Sequence, residues 1–189
     1  MKDALEIALL TAAAFERAGV AYFLGGSLAS SFQGEPRATN DIDFVVELAT
    51  HRVDLLVREL GADFDVDVDA LKEATRRGGS WNIFYSPQGT KIDLFMLGGE
   101  PFDEAEFSRR ARVDLGGSQL FIKSAEDTVL RKLLWFLAGG QVSSKQWRDI
   151  VEVLRVSGAA MDRRYLDGWA RRLGLSEWLA RADAEAGAV

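Results

Sequence analysis

Asp41 and Asp43 flank Ile42 in the run Asp41-Ile42-Asp43-Phe44-Val45-Val46, and Asp93 interrupts an otherwise apolar run from Ile92 to Leu97. Alternate residues of a β-strand face the same side, so a strand over 41–46 turns both carboxylates to one face, roughly 7 Å apart, and leaves Ile42, Phe44 and Val46 for a core. Two carboxylates side by side repel each other unless a cation binds them. For the pair alone, an Asp41 that ends the loop and an Asp43 that faces solvent is the more ordinary arrangement; the third carboxylate on a later strand favours the cation. Oxygen-only donors suit Mg²⁺, which keeps waters and takes phosphate oxygens as co-ligands. Three aspartates on neighbouring strands can hold two such ions roughly 3.5–4 Å apart, an arrangement that clamps the attacking and leaving oxygens of an in-line displacement at phosphorus. Lys91 shares the face of Asp93 and reads as a solvated strand-end lysine.

A second chemical signal precedes the first. Gly25-Gly26-Ser27 lies where an apolar strand, Val20 to Leu24, hands over to a helical stretch from Leu28 to Phe32. Backbone N–H groups and a hydroxyl at a helix N-terminus form a phosphate site, and glycine lets a phosphate approach closely. A Gly-Gly-Ser turn can equally be a plain turn with a serine N-cap. Arg37, in the Gly34–Asn40 loop, can meet a triphosphate or cap the turn.

The elements that must position these residues follow from periodicity and turn chemistry. Helices are expected over 2–18, 50–60, 68–77 and 101–112, and a short strand near 62–66. Hairpins are expected over 81–97, about Pro87-Gln88-Gly89, and across Gly116-Gly117, ending at Ile122. From Ser124 onward the pattern is helical only, with Ser124 and Asp127 capping a helix through Leu137, and further helices near 143–156, 162–172 and 175–185. The chain therefore reads as an α/β part to about residue 122 and a helical part beyond it. The alternating Asp63, Asp65, Asp67 and Asp69 lack the glycine and glutamate of an EF-hand loop and read as a strand edge followed by a helix cap.

Composition narrows the chemistry further. The 189 residues are 48% hydrophobic, enough for a buried core, and there is no cysteine and one histidine, His51. Disulfides, iron–sulfur clusters and Cys-based zinc sites are excluded, and a His-based triad is disfavoured. The net charge of −6 is uneven: residues 1–122 carry 12 Lys/Arg and 20 Asp/Glu, residues 123–189 carry 11 and 9. An acidic chain is a poor sequence-independent DNA binder. The apolar stretch Ile7–Phe15 is interrupted by Glu16-Arg17 and preceded by Asp3 and Glu6, so an amphipathic first helix fits better than a signal peptide. No run is long enough to span a bilayer, and a cytoplasmic location without membrane attachment is expected.

Gly26-Ser27, Asp41/Asp43 and Asp93 together resemble the nucleotidyltransferase superfamily that includes polymerase β. The loop Gly34-Glu35-Pro36-Arg37-Ala38-Thr39-Asn40-Asp41-Ile42-Asp43 is most similar to AbiEii-type abortive-infection toxin nucleotidyltransferases, and its Arg-x-Thr spacing is shared with aminoglycoside and lincosamide nucleotidyltransferases. The runs Glu126–Leu133 and Trp147–Leu154 are similar to the C-terminal motifs of the AbiEii-like group, with Glu152 where relatives often carry a second aspartate.

The resemblance implies an α/β (α+β) nucleotidyltransferase fold, a mixed sheet flanked by helices with a C-terminal helical bundle. It implies a catalytic domain over 1–122 and a helical domain over 123–189 packed on it. Asp41, Asp43 and Asp93 would be the catalytic and metal-binding residues, holding two Mg²⁺ ions, with Mn²⁺ as an alternative. Gly25, Gly26, Ser27, Arg37, Thr39, Lys132 and Asp149 would bind the nucleotide. The implied reaction moves an NMP from an NTP to a hydroxyl of RNA such as tRNA, or of a protein, in a toxin that has a cognate antitoxin. A small-molecule acceptor and a non-catalytic, antitoxin-like nucleotide- or protein-binding module are the alternatives. Without the resemblance, Lys132 reads as a solvated lysine, Arg148 and Glu152 as an i, i+4 surface pair, Trp135, Phe136 and Trp147 as helical core, and His51 as a surface or cap residue.

Overall fold

The computed structural model describes residues 1–36, 38–115 and 117–187. The chain separates into two compact units, Met1–Leu28 with Ala38–Lys123, and Ala29–Arg37 with Ser124–Val189.

The first unit is built on one seven-stranded mixed sheet. In chain order its strands are β1 (Ala21–Leu24), β2 (Ile42–Glu47), β3 (Phe64–Asp65), β4 (Ser80–Tyr85), β5 (Thr90–Met96), β6 (Ala111–Leu115) and β7 (Ser118–Ile122), arranged β3-β4-β5-β2-β1-β7-β6. Helices α1 (Ala4–Arg17), α3 (Val53–Leu60), α4 (Val68–Arg77) and α5 (Pro101–Ser108) accompany it. β2 runs antiparallel to β1 and parallel to β5, and β7 runs parallel to β1. Period-two alternation sends Ile42, Phe44 and Val46 into the core with Tyr22, Leu24, Ile92 and Leu94, where α1 contributes Ile7 and Phe15. Phe15, Tyr22 and Phe44 make mutual ring contacts at 5.1–5.7 Å. Each such side chain contributes about 1.5–3 kcal/mol by leaving water. The entry of α1 is fixed by a reciprocal cap, the Asp3 carboxylate accepting from the Glu6 N–H and the Glu6 carboxylate from the Asp3 N–H, both at 2.8 Å.

Two expected elements differ. The helix expected over 101–112 ends at Ser108, and Ala111–Leu115 is a strand instead. Its antiparallel partner β7 supplies the ladder bonds that local propensity does not reveal. The strand expected from Asp41 begins at Ile42, which leaves Asp41 exposed at the loop end. The hairpin between β6 and β7 includes Gly116, which lies outside the described residues.

The second unit comprises α6 (Ala125–Ala138), α7 (Ser144–Ser157), α8 (Arg163–Arg172) and α9 (Ser176–Ala186), with most of α2 (Gly26–Gln33). Its core holds Val129, Leu130, Leu133, Ile150, Val153, Leu154, Leu166 and Leu179. Ser124 caps α6 by accepting from the Asp127 N–H at 3.1 Å. Phe136, Trp147 and Trp178 stack edgewise or tilted at 5.2–6.1 Å, while Trp135 stays exposed. Residues 29–36 belong here for physical reasons. A side chain on Gly34 would press on the α7 backbone, 3.0 Å from the Val153 nitrogen. Thr128 Oγ1 and Ser157 Oγ donate to the Gln33 side-chain and main-chain oxygens, each at 2.6 Å. No helix among the described residues is long and apolar enough to cross a membrane.

Candidate active site

The sheet positions Asp43 and Asp93 opposite each other. β2 and β5 pair in parallel with Asp43 in register with Asp93, so both carboxylates rise from the face opposite the buried Ile42, Phe44, Ile92 and Leu94. On that face β4 completes the row, with Asn82 directly across from Asp93. Asp41 precedes the strand, and its main-chain N–H donates to Thr39 Oγ1 at 3.2 Å, which ties the end of the loop to the start of β2.

The Gly25–Ser27 turn is fitted to Asp43. The Gly25 N–H donates to the Asp43 carbonyl at 2.8 Å. Gly26 has φ +58°, a left-handed conformation that glycine adopts without strain, and opens α2. A Cβ there would lie 2.6 Å from Cγ and 2.9 Å from Cβ of Asp43. Glycine at this position is what lets the aspartate side chain lie against the turn. At Gly25 the same addition would make only ordinary contacts, the nearest being Phe23, the Asp43 carbonyl and Lys123 Nζ at 3.7–3.9 Å.

Electrostatically, Asp43 feels both of the other aspartates. Burial, then the Asp93 and Asp41 charges, push the Asp43 carboxyl above its ordinary value, with Lys123 and Lys91 partly opposing the rise. Lys91 does not extend freely into solvent as its sequence position suggests. Its Nζ bonds both carboxylate oxygens of Asp93, at 2.9 and 2.6 Å, and that hydrogen bond raises the lysine's own pKa. Lys123 was not legible as a site residue. It follows an apolar strand at the boundary of the two sequence patterns, yet it is 2% exposed and pairs with the equally buried Glu106 at 3.4 Å. No local pattern marks it; its place near Asp43 follows from β7 running parallel to β1, a pairing the sequence does not show.

Among the described residues no three His, Asp or Glu side chains converge closely enough to form a metal-holding group. The donor chemistry nonetheless fits a hard divalent cation: Asp43, Asp93 and Asp41 offer oxygen only, and their mutual repulsion at Asp43 is what a cation relieves.

In the second unit, Lys132 is not the solvated lysine its helix pattern suggests. It is 3% exposed and its Nζ bonds Asp149 at 2.8 Å, with Asp149 7% exposed. Buried charges of this kind persist when paired and hydrogen-bonded. A small cavity lined by Ser30, Ser31, Glu35, Arg148, Asp149 and Glu152 opens beside the pair. Arg148 and Glu152 do not bond each other: Arg148 reaches Glu35 at 2.7 Å and Glu152 accepts from Arg155 at 2.5 Å. His51 lies exposed in a 3₁₀ turn. Arg37 lies outside the described residues.

Residues 8–177 match the family model described as nucleotidyl transferase AbiEii toxin, type IV TA system. No curated protein matches the sequence. Among solved structures, the chain is similar to that of the antibiotic-resistance factor ANT(2'')-Ia, with a TM-score of 0.56 and 13% identity over 95% of this chain and 96% of that one. It is also similar to an antigenic nucleotidyltransferase-like protein from Paracoccidioides brasiliensis, with a TM-score of 0.52 and 15% identity over 95% and 91% of the two chains. At these identities the likeness is one of fold.

Proposed function

From the premise that the chain belongs to the AbiEii family of nucleotidyl transferases, we propose that it moves an NMP from an NTP to an acceptor hydroxyl as a toxin opposed by a cognate antitoxin. The observation that carries this is the register of Asp43 with Asp93 on adjacent parallel strands, against a turn that requires glycine. In the reaction the acceptor oxygen bonds to the α-phosphorus. The bond to the bridging oxygen of the β-phosphate breaks, and pyrophosphate leaves with the electron pair. Asp93 takes the acceptor hydroxyl's proton.

Asp41, Asp43 and Asp93 hold Mg²⁺, or Mn²⁺ in its place. The ion, when bound, withdraws charge from the phosphate and lowers the pKa of a coordinated hydroxyl. The Gly26 N–H and the Ser27 hydroxyl, at the start of α2, hold phosphate oxygens, and Gly25, its own N–H committed to the Asp43 carbonyl, fixes the turn that presents them. Thr39 orients Asp41 through the hydrogen bond at its N–H. Arg37, Lys132 and Asp149 keep the nucleotide-binding roles that the family pattern gives them, with a catalytic first part, residues 1–122, and a helical domain beyond it.

The test is label transfer. The protein, Mg²⁺ and each α-³²P-labelled NTP in turn are incubated with bacterial lysate separated into RNA, protein and small molecules, beside an Asp41→Asn/Asp43→Asn double mutant. Label entering one fraction with the wild type alone is expected, and that fraction names the acceptor as RNA, protein or small molecule. Label in none, with Mg²⁺·NTP still bound, leaves a nucleotide-binding module in place of the enzyme.

A further inference from the structure

On the open face of the sheet the row Asp43–Asp93 continues into β4 at Asn82, the Cα partner of Asp93. Directly opposed residues of an antiparallel pair carry their Cβ atoms about 4.5–5.5 Å apart. The Asn82 side chain is exposed and hydrogen-bonds to none of the described residues. Asparagine is depleted in strands, yet here it stands inside Ser80-Trp81-Asn82-Ile83-Phe84-Tyr85, a run otherwise rich in strand-forming residues. Neither pairing nor packing accounts for an amide at this position. The residues one step away on the same face are Phe84, opposite Lys91, and Phe95, opposite Ser80, which are 40% and 37% exposed. An uncommitted donor–acceptor group therefore stands beside the carboxylate assigned to the acceptor's proton, with apolar rings diagonally on either side.

We propose that Asn82 is a specificity-determining residue whose amide hydrogen-bonds the acceptor next to the reacting hydroxyl, while Phe84 and Phe95 give the body of the acceptor an apolar margin. This rests on the transfer function proposed above. An amide suits the task because it donates and accepts at once and carries no charge that would compete for a cation. The residue then acts on the acceptor and leaves the nucleotide alone.

The test compares Asn82→Val with Asn82→Thr. Both side chains are β-branched and favoured in strands, and they differ only in a methyl against a hydroxyl. The probe is the lysate fraction that the wild type labels, titrated at fixed NTP, followed by NTP titrated at a fixed amount of that fraction. Asn82→Val is expected to raise the half-saturating amount of the acceptor fraction by about fivefold to tenfold, the worth of one net hydrogen bond. It should leave half-saturation by NTP unchanged, with Asn82→Thr closer to the wild type. Valine and threonine variants that match each other, or a valine variant that matches the wild type or shifts both saturations equally, overturn the assignment of Asn82 alone. A wild type that labels no fraction removes the transfer function and this inference with it.

Discussion

Gly26→Ala is the sharpest probe of how the turn and the acidic row depend on each other. Two costs arise together. An alanine must hold the left-handed conformation that Gly26 adopts at φ +58°, which costs roughly 1–2 kcal/mol. Its methyl group also meets Asp43 2.6 Å from Cγ and 2.9 Å from Cβ; moving the Asp43 side chain off its rotamer, at about 0.5–1.5 kcal/mol, relieves the first contact, and the second needs the two backbones to move apart. A combined loss of about 1.5–3.5 kcal/mol lowers Tm by roughly 3–14 °C in a chain of this size. Displacing the carboxylate by about 1 Å costs on the order of a hundredfold in rate. Gly25→Ala is the internal control, because its methyl group would make only contacts of 3.7–3.9 Å. Differential scanning calorimetry of the two variants, beside label-transfer rates at saturating NTP, gives both readouts. Equal Tm for Gly26→Ala and the wild type would refute the packing argument. A large drop in Tm for Gly25→Ala would show that the turn is constrained by something other than Asp43.

Three further outcomes are expected. The Asp43 carboxyl is raised above its ordinary 3.8 by burial and by the Asp93 and Asp41 charges, so its contribution to stability is full below pH 3.8 and is lost as pH rises through the folded value. Without divalent ions at pH 7, Asp43→Asn should therefore melt no lower than the wild type and lose transfer, and Mg²⁺ should raise Tm of the wild type only; a folded, fully active Asp43→Asn protein would contradict the assignment. In the second unit, Lys132→Ala or Asp149→Ala should each cost about 3–5 kcal/mol by stranding a buried charge, while Lys132→Met/Asp149→Leu recovers most of it. Urea titration followed by tryptophan fluorescence checks this, since Trp135, Trp147, Trp169 and Trp178 all lie in that unit. Lys91→Met should tighten Mg²⁺ binding by up to about fivefold, because the half-exposed lysine competes for the Asp93 carboxylate with the modest strength of an exposed pair; calorimetric titration showing weaker binding would count against that competition.

The elements were legible where a local pattern carried them. The alternation Ile42, Phe44, Val46 announced β2 and its buried face, and Ser124 with Asp127 announced the start of α6. The end of α5 was not legible, because Arg109-Arg110-Ala111-Arg112 contains no helix breaker and becomes a strand only through its ladder with β7. Asp43 and Asp93 could each be singled out as carboxylates in apolar runs. Their register could not be read, since 50 residues separate them and strand pairing leaves no mark on either strand alone. Lys91 and Lys132 read as solvated, and Lys123 draws no notice, for one reason: lysine is so often solvated that the sequence gives no sign of a partner brought in from elsewhere. Here the partners are Asp93, Glu106 and Asp149.

The discontinuity of the second unit has a consequence for how the chain is made. Gln33 leaves the ribosome 95 residues ahead of Thr128 and 124 residues ahead of Ser157, the two side chains that bond it. At about 5–20 residues per second, that is a wait of roughly 6–25 s. The N-terminal sheet can close in that interval, but Ala29–Gln33 and Gly34 must stay available until α7 has been synthesised. A slow stretch of translation after residue 157 would give this early segment time to dock. A premature stop within α7 would leave this early segment with no helix to receive it, and the apolar Val129, Leu130 and Leu133 of α6 open to other chains.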